Sequence, residues 1–177
     1  MYLRKMMCFK KGFCTMNVME EKFYTSTEAA EITHCSRRQL QYWREKGVVV
    51  PTVNTTGKGR NVYYSVTDLL ALSVMQYLLS AGLNFEICQK TLETLRHKEP
   101  WLFEESVTSA KMKRLMLLLT ASEEQPLQLA EFDKQAALEA LCQGKPVIPF
   151  WSDLVHQRLK ENLQSFSYRL SLEFSNG

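Results

Sequence analysis

Histidine is scarce in this chain of 177 residues, and its five cysteines are scattered rather than grouped. The three histidines, His34, His97 and His156, accompany no serine or cysteine in a recognisable nucleophile motif, so covalent catalysis has no sequence basis and no enzyme is expected. Five cysteines make an odd set without a Cys-x-x-Cys pair, which argues against a disulfide framework. An iron–sulfur cluster needs four grouped thiolates, and Cys142 with His156 fourteen residues away is a poor ligand set for a soft metal. No metal or other cofactor is therefore expected. Gly57 and Gly59 lack the Walker spacing and the helix that should follow it. Long apolar runs are missing too. Met1 to Lys22 mixes Lys, Arg and Met and holds no stretch long enough for a signal peptide or membrane span, so a soluble cytoplasmic protein is expected, with Met16 or Met19 as alternative starts.

What is present begins with Ser36-Arg37-Arg38-Gln39-Leu40-Gln41-Tyr42-Trp43-Arg44-Glu45-Lys46-Gly47. Ser36 with Gln39 three positions on has the form of a capping box, and Gly47 supplies a stop. On a 3.6-residue period Leu40 and Trp43 share the packing side, leaving Arg37, Arg38, Gln41 and Arg44 to project outward. A shorter helix precedes it, opened by a second capping box, Thr25 with Glu28, and closed by the turn His34-Cys35. Two capped helices across a tight turn predict a helix-turn-helix. Histidine tolerates a left-handed turn, so His34 is read as a conformational residue rather than a proton carrier. Next, Val48–Val53 and Asn61–Ser65 are β-prone runs flanking Thr55-Thr56-Gly57-Lys58-Gly59-Arg60, a hairpin with a basic tip. The whole is a winged helix.

Charge placement is more informative than the total. A net charge of +3 is modest for a nucleic-acid binder. Arg37, Arg38, Arg44, Lys46, Lys58 and Arg60 nevertheless face Glu45 alone between positions 37 and 60, a local charge of +5, whereas residues 100–177 sum to −2.

Three segments in order resemble the mercury-resistance regulator (MerR) family. Tyr24-Thr25-Ser26-Thr27-Glu28-Ala29-Ala30 is similar to its opening, Arg38-Gln39-Leu40-Gln41-Tyr42-Trp43 followed by Gly47 to its second helix, and Tyr64-Ser65-Val66-Thr67-Asp68-Leu69 to its wing exit. The resemblance covers roughly residues 23–99. Val62 departs from it, standing where many relatives carry arginine, with Arg60 a substitute. The resemblance implies a DNA-binding transcriptional regulator that acts as a homodimer on double-stranded DNA, engages RNA polymerase, and responds to a small-molecule effector. Arg37, Arg38 and Gln41 are expected to reach base edges, and Arg44, Lys46, Lys58 and Arg60 to lie nearer phosphates, with the Tyr42 hydroxyl on the backbone. Thr25 and Tyr64, inside the matching segments, complete the candidate set. An excisionase-like DNA-bending factor and a protein-interaction adaptor that has lost DNA binding remain as alternatives.

Pro100 should end a helix and is taken as the internal boundary. The expectation is a mainly helical α+β protein: a flexible basic tail over 1–22, a winged-helix DNA-binding domain over 23–99, and an effector or dimerisation module over 100–177. In the first domain Ser65 and Asn84 cap two further helices, the second with a stripe of Phe85, Cys88, Leu92 and Leu95. Cys88 is read as core. The last module reads strand, strand, helix, strand, helix: Lys113–Ala121, Leu127–Phe132, a helix opened by Asp133, Pro146–Trp151 with Pro149 favouring an edge, and a final helix from Ser152. Classical members continue instead into one long dimer-forming helix. Packing on the winged helix or joining subunits is preferred for this module over ligand sensing, with Trp101, Phe103, Phe150 and Trp151 as a hypothetical aromatic cage.

Overall fold

The computed structural model describes residues 22–54, 62–120 and 127–175. The expected tail up to residue 21, the wing tip at 55–61 and the turn at 121–126 lie outside them. A short strand β1 (Tyr24–Thr25) leads into α1 (Ser26–Thr33) and α2 (Arg37–Glu45), then the hairpin strands β2 (Val53–Asn54) and β3 (Val62–Tyr64). Helices α3 (Val66–Ser80) and α4 (Phe85–Lys98) follow. After a 3-10 turn at Pro100–Phe103 come β4 (Arg114–Leu119), β5 (Leu127–Glu131), α5 (Lys134–Cys142), β6 (Val147–Trp151) and α6 (Ser152–Ser175).

The helix starts follow from side chains that accept hydrogen bonds from otherwise unpaired backbone N–H groups. Thr25, Ser36 and Ser65 each form a reciprocal capping box, with Glu28, Gln39 and Asp68 respectively, while Asn84 and Asp133 cap α4 and α5 from one side. Helix α3 is apolar nearly all round and forms the centre of the molecule: Leu69, Leu70, Ala71, Leu72, Val74, Met75 and Leu78 are all buried. On α4 the stripe Cys88, Leu92 and Leu95 is fully buried, while Phe85 is half-buried.

Two antiparallel three-stranded sheets result. In the first, β3 lies between β1 and β2, with Tyr24 opposite Tyr64 and Val53 opposite Tyr63. Strand β1 is invisible in the local pattern because two residues carry no periodicity, and it exists only through its pairing with β3. The run Val48–Val53 is mostly not a strand. Val48 and Val49 are buried, and their amides donate to the Trp43 carbonyl at 2.9 and 3.4 Å, so the chain folds back beneath α2 before Val53 begins to pair. In the second sheet the order is β5-β4-β6, and Pro149, opposite Met116, does sit on an edge strand.

The two halves of the chain share one core. Leu115, Leu117, Phe150, Val155, Leu159 and Phe166 are buried in the same cluster as Leu40, Trp43 and Leu72. Ser152, fully buried, ties the start of α6 to the start of β4: its hydroxyl accepts from Lys113 N at 3.0 Å and donates to Lys113 O at 2.7 Å. Farther along, Asn162 donates to the Ile32 carbonyl at 2.8 Å, satisfying an acceptor in the last turn of α1 that has no intrahelical partner. Arg169 forms an ion pair with Glu31, and Phe166 meets Tyr24 edge-on at 6.5 Å. The four aromatic residues do not form a cage. Phe150 is fully buried against Tyr77, Phe103 lies under Arg96, Trp151 meets Phe132 and Arg114, and the Trp101 indole donates to Glu99 at 2.5 Å.

Candidate nucleic-acid interface

Helix α2 is set by its two faces. Leu40 and Trp43, 1% and 2% exposed, anchor it in the core, each burial contributing on the order of 1.5–3 kcal/mol. Ser36 fixes the entry: its hydroxyl accepts from Gln39 N at 3.1 Å while its own amide donates to the Gln39 side chain at 2.7 Å. The turn before it depends on His34, which adopts φ 56°. The exit turns at Gly47, φ 69°.

On the outer face Arg37, Arg38, Gln41 and Lys46 are exposed and Arg44 is half-buried. Gln41 donates to Glu45 at 2.9 Å, so its amide is held along the helix by an acid one turn on. The Tyr42 ring is 43% exposed and rests on Phe85 at 4.9 Å, with the Lys46 ammonium 5.7 Å from its centroid. Tyr42 therefore joins α2 to the first turn of α4 while keeping an exposed edge. Thr25 is exposed, and its hydroxyl accepts from Glu28 N at 3.3 Å. Lys58 and Arg60 lie outside the described residues.

Tyr64 requires a correction. It is 1% exposed, so its ring belongs to the core and offers no contact surface. Burial pushes the phenol above its ordinary pKa, against the opposing pull of Arg44 and a hydrogen bond with Ser26. Tyr64 supports the interface from beneath.

Sequence reasoning missed the parts that hold the wing and the end of α2. One Asp68 oxygen accepts from Thr52 N at 2.8 Å, from the Thr52 hydroxyl at 2.7 Å and from Ser65 N at 2.9 Å, pinning the wing root to the start of α3. This gives a physical reason for the spacing of Tyr64 and Asp68: one packs under the wing and the other clamps its base. Arg96 donates to the Val48 carbonyl at 3.1 Å, fastening the turn after α2 to α4, and its burial lowers the guanidinium pKa. No local signal marks Arg96. Asp68 was visible only as part of a motif. Helix α6 borders the opposite end of α2: a cleft of about 690 Å³ lies between His34-Cys35-Ser36 and Asn162, Phe166 and Arg169. Arg37 and Arg38 stay exposed beside it.

These elements define a winged helix-turn-helix whose second helix presents a cationic outer face. The family comparison agrees: residues 24–95 match the MerR HTH family regulatory protein, so the chain carries a MerR-family helix-turn-helix domain. Uncharacterized HTH-type transcriptional regulators from Mycobacterium bovis and Mycobacterium tuberculosis are 30% identical over 76 residues, covering 42% of this chain. The match spans 34% of each relative's length.

Proposed function

We propose that this protein is a transcriptional regulator that binds specific duplex DNA, with α2 in the major groove and the basic wing on the backbone. The observation that carries the reading is the division of α2 between a buried Leu40–Trp43 face and an exposed face bearing Arg37, Arg38 and Gln41. Arg37 and Arg38 stand in the first turn, the part of a recognition helix that meets base edges. Gln41 reads a base by exchanging its bond to Glu45 for one to the base edge. Arg44, Lys46, Lys58 and Arg60 neutralise phosphates, and Thr25 and Tyr42 add hydroxyl contacts to the backbone.

One winged helix touches few base pairs, so specificity calls for two copies on a two-fold site, and the protein acts as a homodimer. Residues 23–99 form the DNA-binding unit and residues 100–177 the effector or dimerisation module. RNA polymerase is the partner through which a bound dimer alters transcription, whether by deforming the promoter or by occupying it. A permuted-fragment gel shift separates those two modes.

Genome-wide mapping of bound DNA yields the operator, and fluorescence anisotropy on that operator tests the contacts. Arg38→Ala is expected to cost about 1–3 kcal/mol and relax specificity at one position. Lys58→Ala should weaken all sequences alike and lower the salt slope by about one. Unaltered binding in both variants refutes the assignment.

A further inference from the structure

A large cleft of about 1140 Å³ lies on the side of α6 away from the turn of the helix-turn-helix, between β1, the start of α3, the segment 105–114 and α6 itself. Its size is suited to a small organic molecule. Leu70, Val107, Met112, Leu159 and Leu163 give it an apolar wall. Four cations, Lys22, Lys113, Arg114 and Lys160, line it against two acids, Glu105 and Asp153. Lys113 is engaged by Glu99 at 3.4 Å and Glu131 at 3.5 Å, whereas Lys160 is exposed and has no ion-pair partner among the described residues. His156, the remaining titratable group of α6 in the cleft, is held by the Leu102 carbonyl at 2.8 Å.

We propose that this cleft binds a small organic anion that combines an apolar body with an acidic group facing Lys160 and Arg114. The assignment rests on the cleft alone and is independent of the DNA-binding reading.

The probe 8-anilinonaphthalene-1-sulfonate combines both features, and N-phenyl-1-naphthylamine has the same body without the charge. Fluorescence titration of the full chain is expected to give saturable one-to-one binding of the sulfonate, with the neutral analogue bound more weakly. Lys160→Glu should weaken the sulfonate roughly fivefold, the scale of reversing one exposed charge. Gln164→Trp, at an exposed position on the cleft rim, should block it by bulk; circular dichroism checks that both variants retain the fold. The proposal is overturned by the absence of saturable binding, by binding of more than one equivalent, by equal affinity for the neutral analogue, or by wild-type affinity in either variant.

Discussion

Replacing Asp68 by alanine removes the acceptor on which the wing root depends. Three hydrogen bonds converge on one carboxylate oxygen, from Thr52 N, the Thr52 hydroxyl and Ser65 N at 2.7–2.9 Å. A hydrogen bond to a charged group contributes about 1.5–3 kcal/mol where water is excluded. Thr52 is exposed, so its two bonds are discounted to well under that range, because water takes the place of the lost acceptor. The bond to Ser65 N is part-buried and closes the capping box of α3, a feature on the order of 1 kcal/mol. The expected loss is about 2–3 kcal/mol, or roughly 4–12 °C in Tm for a chain of this size. Urea denaturation followed by tryptophan fluorescence, with Trp43 as a buried reporter, measures it against circular dichroism on the same samples. Asp68→Asn keeps an oxygen but not the charge and should fall between wild type and alanine. In DNA titrations Asp68→Ala should weaken binding without changing the salt slope, since no phosphate contact is deleted, unlike Lys58→Ala. A stability loss below about 0.5 kcal/mol, within the ordinary range of surface substitutions, refutes the clamp.

Three further outcomes are expected. His34→Gly relieves the left-handed backbone at φ 56° and should stabilise the protein by up to about 1 kcal/mol in the same urea assay, whereas His34→Val should destabilise it. Burial pushes the Cys35 and Cys88 thiols up to about 11, so in a Cys8→Ser/Cys14→Ser background Ellman's reagent at pH 8 should titrate only the exposed Cys142 until the chain is unfolded. Burial lowers the His156 pKa, outweighing the Leu102 carbonyl that pulls the other way, so the unfolded state binds the proton more readily than the folded one. Stability is then full above the ordinary imidazole range and declines as pH falls through it; a urea midpoint series from pH 8 to pH 5 should flatten in His156→Gln.

The local grammar of the chain was legible because its signals act over three or four residues. The capping pairs of Thr25 and Ser36, the cap at Ser65, the left-handed His34, the Cys88–Leu92–Leu95 stripe of α4 and the edge proline of β6 are each decided by near neighbours, and the structure has them as expected. The two faces of α2 follow from the same helical period, which is why Leu40 and Trp43 were separable from the arginines. Tertiary contacts decided the rest. Thr52 meets Asp68 across sixteen positions, Arg96 meets Val48 across forty-eight, and Asn162 meets Ile32 across one hundred and thirty, distances over which no periodic pattern carries information. Tyr64 and the Val48–Val49 pair show the same limit from inside the motif. The family resemblance made Tyr64 a candidate for surface contact and β propensity made Val48 and Val49 candidates for a strand, yet burial against the shared core outweighed both, because the place of a side chain depends on what the distant chain brings to cover it.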